Sequence, residues 1–348
     1  MPKPLEGHVS NSVIDAAGRV LAADNVPAAE YAEAVSVIRR WRAQHARPLA
    51  RVARELADTT GLEPVQRLKR LDAIHRKIRR VPRFADRLSS MQDIGGCRVV
   101  FETAAEARAA FEQIRNGMEC GKVTFADHVT APPASGYRSI HLVCRVEPET
   151  GARHERSEIQ LRSAAQDAWA TAVETAGRLV GEPLKEGRGD SDWLRLFQLM
   201  GDYIAAREGT PLRGPSSTVA EMSLEVSDLA GVLDVLRLLE PRQFAVSKVS
   251  PFAVSPLGAL GMQYVVINSD VSTSRATVST FAAQNLWEAL EAYGKEERST
   301  ATSSTAQAVA VGVTNWDSLL ARYPAYFGAT ASFMKLLREA MRGVDDPL

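Results

Sequence analysis

The sequence predicts an α/β fold of the α+β kind, in which a mixed β-sheet is flanked by helices and a smaller C-terminal α/β unit follows. Three observations support this prediction. Short apolar runs that suit buried strands, Ile94–Phe101, Ile140–Val146 and Ser157–Leu161, alternate with longer helical patterns. Apolar residues recur at helical spacing over 163–180. A turn-rich segment over 207–219 separates two parts of the chain.

Helical patterns dominate the N-terminal part. Residues 9–60 are mostly compatible with helix, and residues 64–80 are predicted to form a second, strongly basic helix. A capping-box pattern that begins at Thr103 predicts a helix over 104–116. Lys122–Val129 is predicted to be a further strand, separated by a Pro/Gly/Ser turn from the next one.

The C-terminal part has fewer landmarks. Its predicted helices are Leu229–Leu239, Thr280–Tyr293 and Ala329–Met341, and its predicted strands are Gln263–Ile267 and Ala308–Val313. We therefore predict two domains, 1–210 and 211–348, with the boundary in the turn-rich segment.

The composition of the 348 residues is that of a globular protein with no global electrostatic preference, since the formal net charge is zero. Three scattered cysteines, Cys97, Cys120 and Cys144, argue against a disulfide framework or a cysteine-rich zinc site, and fit a reducing compartment. No apolar run approaches the roughly 20 residues of a membrane span. A cytoplasmic protein without a membrane partner is predicted.

Four segments carry residues suited to nucleotide chemistry. The first is basic and contains Arg67, Lys69, Arg70, His75, Arg76, Lys77, Arg79, Arg80 and Arg83. Such groups can bind polyphosphate through charge-assisted hydrogen bonds, although a solvated helix face is the simpler interpretation of the segment alone. Asp93, followed by Ile94-Gly95-Gly96, could hold Mg²⁺ or could simply form a turn before the strand.

The third and fourth segments follow. Glu158, Gln160 and Arg162 alternate along one predicted strand, so they share a face that is directed either to water or to a cleft. Tyr137, in the turn that precedes Ile140, could stack on a nucleobase for about 1–3 kcal/mol, or could be a buried anchor.

Taken together, these segments resemble the synthetase domain of the RelA/SpoT homologue family over about residues 64–190. The matching motifs are Arg67-Leu68-Lys69-Arg70 with Lys77, Asp93-Ile94-Gly95-Gly96-Cys97-Arg98, Gly136-Tyr137-Arg138-Ser139-Ile140-His141, Glu158-Ile159-Gln160-Leu161-Arg162 and Ala168-Trp169-Ala170. The resemblance implies a nucleotidyltransferase-like fold and a pyrophosphokinase that moves the β,γ-pyrophosphate of ATP to a nucleotide hydroxyl.

The resemblance also implies a role for each matching residue. Asp93 and Glu158 would be catalytic and would bind Mg²⁺, with Glu158 as the alternative base on the acceptor hydroxyl. The ATP-binding residues would be Arg67, Lys69, Lys77 and Arg98. The acceptor-binding residues would be Tyr137, Arg138, His141, Gln160 and Arg162. Two positions depart from the family pattern, since Ala73 replaces a common serine and Pro133 replaces a lysine that helps to hold acceptor phosphates.

Two further segments suggest a branch of the family. Trp41–Leu49 resembles an N-terminal helix of toxic small alarmone synthetases, and Tyr323-Pro324-Ala325-Tyr326 looks like the Tyr-x-x-Tyr element of CapRel-type fused toxin–antitoxins. In that group a C-terminal pseudo-zinc-finger domain blocks the ATP site until a phage structural protein binds it. Tyr323 and Tyr326 would then be autoinhibitory, although packing in a core explains two tyrosines equally simply.

Three hypotheses follow from the sequence. The first is an autoinhibited, phage-triggered enzyme that pyrophosphorylates the 3′-terminal adenosine of tRNA and stops translation. The second is a synthetase that makes alarmones, such as (p)ppGpp or (p)ppApp, from GDP, GTP or adenine nucleotides. The third is a non-catalytic nucleotide sensor, which the retention of both Asp93 and Glu158 disfavours.

Overall fold

The computed structural model describes residues 8–118, 124–146, 155–213, 218–240, 244–249, 263–313, 319, 323–327 and 329–343. Within these ranges the predicted mixed α/β fold is confirmed, because helices pack beside one β-sheet. None of the helices in this part of the chain combines the length and the apolar character that crossing a bilayer requires.

The described strands form one sheet in the order β3-β4-β5-β2-β1-β9-β7-β8-β6. In chain order they are β1 Val65–Leu68, β2 Gly95–Phe101, β3 Thr124–Asp127, β4 Ile140–Val146, β5 Glu155–Ser163, β6 Ala245–Val249, β7 Gln263–Asp270, β8 Arg275–Ala282 and β9 Ala306–Val313. The pairs β2–β5 and β6–β8 are parallel, and the other neighbours are antiparallel.

The described α-helices are also numbered in chain order. They are α1 Asn11–Ala22, α2 Ala28–Gln44, α3 Ala46–Thr60, α4 Leu71–Arg80, α5 Arg83–Asp86, α6 Ala104–Gly117, α7 Ala164–Val180, α8 Ser191–Arg207, α9 Val219–Val232, α10 Val235–Leu238, α11 Leu286–Ser299 and α12 Ala331–Arg342. Thr103 and Glu106 form the predicted capping box of α6, with reciprocal hydrogen bonds between side chain and backbone.

The prediction of one basic helix over 64–80 is wrong at its beginning. Val65–Leu68 forms β1, which pairs with β2 on one side and β9 on the other, and α4 begins only at Leu71. Pairing on both sides satisfies backbone groups that would otherwise favour a helix. Arg67 therefore lies on a strand and Lys77 on a helix, so these two basic residues do not belong to the same helix.

Strands β2, β4 and β5 alternate buried and half-buried residues, as the apolar runs predicted. The parallel register of β2 and β5 places Gly96 beside Glu158 and Arg98 beside Gln160. The predicted strand at Lys122–Val129 is confirmed over Thr124–Asp127, whereas Lys122 itself lies outside the described residues. This part of the sheet places the chemically interesting side chains on one surface.

The sheet continues across the predicted domain boundary at residue 210. Strand β9 adds to β1 through two residue pairs, Gln66 with Gly312 and Arg67 with Val311. The division into two domains stays a prediction, but strands from both parts share backbone hydrogen bonds. The C-terminal part is therefore attached directly to the strand that carries Arg67.

The C-terminal predictions have mixed outcomes. The strands Gln263–Ile267 and Ala308–Val313 and the closing helix Ala329–Met341 are confirmed within β7, β9 and α12. Helix α12 packs on α7, α8 and α9, where the Phe333 ring lies 5.8 Å from that of Phe197.

Two helix predictions differ from the structure. The helix over Thr280–Tyr293 was predicted too early, because β8 continues to Ala282 in pairing with β7 and α11 begins at Leu286. The helix over Leu229–Leu239 is divided between α9 and α10. The division occurs at Asp234, whose φ of 49° lies in the left-handed region that a continuous helix excludes.

Candidate active site

A carboxylate held by two lysines forms the first part of the site. Asp93 lies just ahead of β2, Lys69 just after β1, and Lys77 on the second turn of α4. The Nζ atoms of Lys69 and Lys77 lie 2.7 and 2.8 Å from the same atom, Oδ2 of Asp93. Burial raises the pKa of Asp93, but the two ammonium groups lower it well below its ordinary value. The carboxylate is therefore ionised near neutral pH.

The other oxygen of Asp93 is suited to a metal ion. Oδ1 is buried and accepts no hydrogen bond from the described residues. Such an atom calls for a ligand, and Mg²⁺ prefers one or two carboxylates together with phosphate oxygens. Glu158 lies close enough for Asp93 to raise its pKa. Asp93 and Glu158 therefore fit the residues that would hold Mg²⁺.

Two arginines lie on the neighbouring strands β1 and β2. Burial lowers the pKa of Arg67, but Tyr326 and Glu174 raise it, and the net pKa is above its ordinary value. Nη1 of Arg98 lies 3.2 Å from Oδ1 of Asp167. Each guanidinium is thus placed beside an acidic or phenolic group of the chain.

The predicted face of β5 is confirmed by its hydrogen bonds. Nε2 of Gln160 donates to Oε2 of Glu158 at 2.7 Å, and Nη2 of Arg162 donates to Oε1 of Gln160 at 2.9 Å. Nη1 of Arg162 donates to Oδ1 of Asp167, also at 2.9 Å. These side chains are half-buried or buried, so the face does not lie open to solvent.

Tyr137 and His141 join this network. The hydroxyl of Tyr137 lies 2.7 Å from Nε2 of His141 and accepts a hydrogen bond from Nη2 of Arg162 at 2.9 Å. Nδ1 of His141 lies 3.3 Å from Oε1 of Glu158. Burial lowers the pKa of His141, but Tyr137 and Glu158 raise it to about 9. Burial raises the pKa of Tyr137, but Arg162 and His141 lower it to about 8.

The pKa of Glu158 reflects both halves of the site. Burial raises it, whereas the hydrogen bond and positive charge of His141 lower it below the ordinary value, and Asp93 opposes that decrease. Glu158 is therefore ionised at neutral pH and lies between the lysine-bound Asp93 and the aromatic network.

Gly136 fixes the position of Tyr137. Its φ of +84° lies in the left-handed region, and a Cβ atom there would be 3.0 Å from the carbonyl oxygen of Phe197. Helix α8 also approaches closely, because a Cβ on Gly201 would be 2.4 Å from the carbonyl oxygen of Gly136. A larger residue at either glycine would displace the turn that presents Tyr137.

Two further predicted site residues form hydrogen bonds with backbone groups. Nε of Arg138 donates to the carbonyl of Gly201 at 3.1 Å and its Nη1 to that of Pro211 at 2.7 Å, so this side chain anchors α8 instead of joining the acceptor-side cluster. These contacts separate the guanidinium of Arg138 from the hydroxyl of Tyr137. The hydroxyl of Tyr323 hydrogen-bonds the backbone N–H and carbonyl of Gln66 at 2.9 and 2.8 Å.

Two acidic residues of α7 were not identified from the sequence. Asp167 bridges Arg98 and Arg162, and Glu174 lies 2.9 Å from Nζ of Lys185. Burial raises the pKa of Glu174, but the surrounding cations, Lys185 first, lower it well below the ordinary value. A signal was available, because acids seven residues apart on a helix lie on the same side.

His128, which directly follows β3, is a third residue that was not identified from the sequence. Its ring lies edge-on to that of His141, with 5.0 Å between centroids, and its centroid is 5.9 Å from that of Tyr137. Burial and the charge of His141 lower the pKa of His128. Two histidines and a tyrosine therefore line one side of the site.

The chain matches known proteins over the part that carries this geometry. Residues 66–177 match the family described as "Region found in RelA / SpoT proteins". The chain is 32% identical over 107 residues to the GTP pyrophosphokinase YjbM of Bacillus subtilis, covering 30% of this chain and 51% of that protein. It is 28% identical over 83 residues to the GTP pyrophosphokinase YwaC of the same organism, covering 23% and 40%. The chain thus spans about half or less of the length of these relatives.

Solved structures give weaker matches. Small alarmone synthetase 1 of Bacillus subtilis bound to its product pppGpp has a TM-score of 0.38 and 23% identity, over 42% of this chain and 75% of that one. A GTP pyrophosphokinase family protein of Streptococcus pneumoniae has a TM-score of 0.37 and 21% identity, over 46% and 80%. The fold described above rests on the strands and helices of this chain.

The matched range includes Asp93, Glu158 and the other predicted donor-side and acceptor-side residues, but neither Tyr323 nor Tyr326. Residues 66–177 are thus similar to a region found in RelA / SpoT proteins, and a stretch of 107 residues is similar to a GTP pyrophosphokinase of Bacillus subtilis.

Proposed function

We propose that this chain transfers the β,γ-pyrophosphate of ATP to a ribose hydroxyl of a nucleotide or RNA acceptor and releases AMP. The observation that carries the proposal is the placement of two ionised carboxylates, Asp93 and Glu158, between a cationic half and an aromatic half of one site. The names of the curated relatives, GTP pyrophosphokinases, support the same class of reaction.

The donor side would bind ATP. Lys69 and Lys77 would contact the triphosphate through charge-assisted hydrogen bonds, and Arg67 and Arg98 would flank the adenine. Both lysines bind Asp93 in this conformation, so phosphate oxygens must replace a carboxylate as their partner. That exchange would free Asp93 to hold Mg²⁺ with Glu158, and the ion would supply neutralisation of phosphate charge.

The acceptor side would deliver the hydroxyl. The oxygen of this hydroxyl forms a bond to the β-phosphorus of ATP. The bond from that phosphorus to the α,β-bridging oxygen breaks, and its electron pair leaves with AMP. The hydroxyl proton passes to Glu158, while Tyr137 stacks on the acceptor base. Since phosphoryl-type transfer depends mainly on positioning and charge neutralisation, a carboxylate of lowered pKa is sufficient as the base.

For the acceptor we favour the 3′-terminal adenosine of tRNA. Residues 128–137, beside the acceptor-side rings, contain no lysine or arginine, and Pro133 occupies an exposed position of this turn. An acceptor that carries several 5′-phosphates would find no cation on this turn. An RNA end needs mainly stacking at the site, with its phosphates bound elsewhere. Free guanine or adenine nucleotides are the alternative, which the names of the curated relatives favour.

A competition experiment tests both the transfer of pyrophosphate and the choice of acceptor. The full chain receives γ-labelled ATP with deacylated tRNA, GDP, GTP and AMP together, and the labelled products are identified by mass. Label on the tRNA 3′ end, with AMP released, is the expected result. Labelled guanosine or adenosine nucleotides without labelled tRNA would contradict the choice of acceptor. No release of AMP with any acceptor would contradict pyrophosphate transfer itself.

We also propose that the C-terminal region restrains this activity and that a phage structural protein releases it. The proposal is supported by the position of Tyr326, which lies beside Arg67, a residue that would flank the adenine. Tyr326→Ala should increase AMP release by the full chain without any trigger. An unchanged rate would argue that Tyr326 has only a packing role.

A further inference from the structure

The carboxylate of Glu297, on α11, is buried between elements of the N-terminal part. It is 8% exposed, and its Oε2 accepts a hydrogen bond from Nη1 of Arg42 at 2.9 Å. Its Oε1 accepts from the backbone N–H of Leu71 at 2.6 Å and from the hydroxyl of Tyr293 at 3.0 Å. One C-terminal side chain thus joins α2, α4 and α11.

Arg42 depends on this carboxylate. Its side chain is 3% exposed, its Cζ lies 4.8 Å from the ring centroid of Tyr293, and its Nε and Nη2 have no hydrogen-bond partner among the described residues. Burial lowers the pKa of Arg42, but Tyr293 and Glu297 raise it above its ordinary value. Without Glu297, a guanidinium would be buried with no anion beside it, which is strongly unfavourable.

Glu297 also caps α4. Leu71 is the first residue of that helix, and the residue before it, Arg70, provides no side-chain cap. Instead, Nη1 of Arg70 donates to Oε1 of Gln307 on β9 at 2.5 Å. The first N–H groups of a helix lack intrahelical acceptors and favour a nearby negative charge, which Glu297 supplies from a distant part of the chain.

This cap acts on the helix that carries a donor-side lysine. Lys77 lies on α4 and Lys69 lies two residues before Leu71, and both bind Oδ2 of Asp93. We propose that Glu297 is a positioning residue that holds α4 in the conformation in which both lysines bind Asp93. Docking of α11 is thereby coupled to the donor side of the site. The effect on activity rests on the proposed function, whereas the cap itself does not.

Hydrogen exchange in the full-length chain tests the cap directly. Glu297→Gln keeps the shape of the side chain but removes its charge, so the Leu71 amide should exchange about tenfold faster as the first turn of α4 opens more often. AMP release from ATP should increase by a similar factor, because α4 would less often hold the two lysines against Asp93. Glu296→Gln is the matched control, because Glu296 is the preceding residue of α11 and accepts a hydrogen bond from Asn268 at 2.6 Å, within the C-terminal part. It should change neither quantity.

The double variant Arg42→Met/Glu297→Gln covers the case in which the single variant fails to fold. It removes both buried charges, so it should fold while leaving the N-terminus of α4 without a negative charge, and the Leu71 amide should again exchange fast. Wild-type exchange of Leu71 in either variant, or equally fast exchange in Glu296→Gln, would overturn the proposal. If Leu71 exchange accelerates but no variant releases AMP, the cap stands and the proposed function fails.

Discussion

The two halves of the candidate site hold their charges differently. On the donor side, cations lie directly against acids of the chain, as Lys69 and Lys77 do against Asp93. On the acceptor side, a chain of hydrogen bonds through aromatic, amide and guanidinium groups ends at Glu158. Its members are Tyr137, His141, Gln160 and Arg162.

The difference extends to the strands that support each half. Strands β4 and β5, under the acceptor side, pair over seven residues, whereas β1, under the donor side, pairs with β2 over four and with β9 over two. The acceptor side is therefore preorganised by its backbone. The donor side must exchange its internal ion pairs for phosphate, and it depends on contacts from the C-terminal part. The following predictions test that contrast.

The largest effect is expected from Glu158→Gln. Loss of the base on the acceptor hydroxyl should lower the rate of AMP release by about 10²–10⁴-fold. Binding of metal-free ATP, measured by calorimetry in the presence of a chelator, should change little, because the hydrogen-bond partners of Glu158 lie on the acceptor side. Glu112→Gln, at an exposed position of α6, is the control and should behave as wild type. Activity within threefold of wild type in Glu158→Gln would exclude Glu158 as the base.

Asp93→Asn should separate two roles of one carboxylate. Pyrophosphate transfer should decrease by about 100-fold, because the residue suited to Mg²⁺ is lost. Without metal, however, ATP should bind about tenfold more tightly, since Lys69 and Lys77 no longer have an anionic partner on the protein. Calorimetry in the presence of a chelator measures this effect. Weaker metal-free binding would contradict the idea that phosphate replaces Asp93.

The sequence predicted the acceptor side better than the donor side for a physical reason. Side chains that alternate on a strand share a face, so Glu158, Gln160 and Arg162 could be grouped from spacing alone. Arg67 and Lys69 looked helical because the basic composition of their segment suits a helix. Strand β1 exists because β2 and β9, distant in sequence, pair with it. Local propensity cannot contain that information.

Asp167 and Glu297, which the sequence did not indicate, also depend on contacts between residues that are distant in the sequence. Asp167 matters because α7 brings it between Arg98 of β2 and Arg162 of β5. Glu297 matters because α11 packs it against Arg42 and Leu71. Each of these acids is one of many in the sequence, and only its three-dimensional partners distinguish it. Local patterns located most of the regular elements, but they did not indicate the partners of buried charges.

Removing the hydroxyl of Tyr323 and that of Tyr326 should change the free energy of unfolding by unequal amounts. Tyr323→Phe removes a hydroxyl that hydrogen-bonds the N–H and carbonyl of Gln66, so it should lower the free energy of unfolding by about 1–3 kcal/mol. Tyr326→Phe should lower it by less, because the hydroxyl of Tyr326 lies beside the guanidinium of Arg67 without a hydrogen bond of good geometry to any described residue. Chemical denaturation measures both. A larger loss in Tyr326→Phe would mean that the phenol beside Arg67 is the stronger attachment.

The smallest predicted effect is a titration that belongs to the acceptor side alone. The pKa of Tyr137 is lowered to about 8, so one of the seven tyrosines should form phenolate near that pH, seen as ultraviolet absorbance, and Tyr137→Phe should abolish the step. A lowered folded-state pKa stabilises the fold above the unfolded pKa of about 10, and this contribution is lost as pH falls through about 8. The stability difference between wild type and Tyr137→Phe should therefore grow from pH 8 to 10.

Tyr323→Phe is the control, because burial raises the pKa of Tyr323 and its removal should leave the absorbance step near pH 8 unchanged. If the absorbance step near pH 8 persists in Tyr137→Phe, it does not belong to Tyr137. Arg162 and His141 would then not lower the pKa of Tyr137, and the acceptor side would be no more preorganised than the donor side.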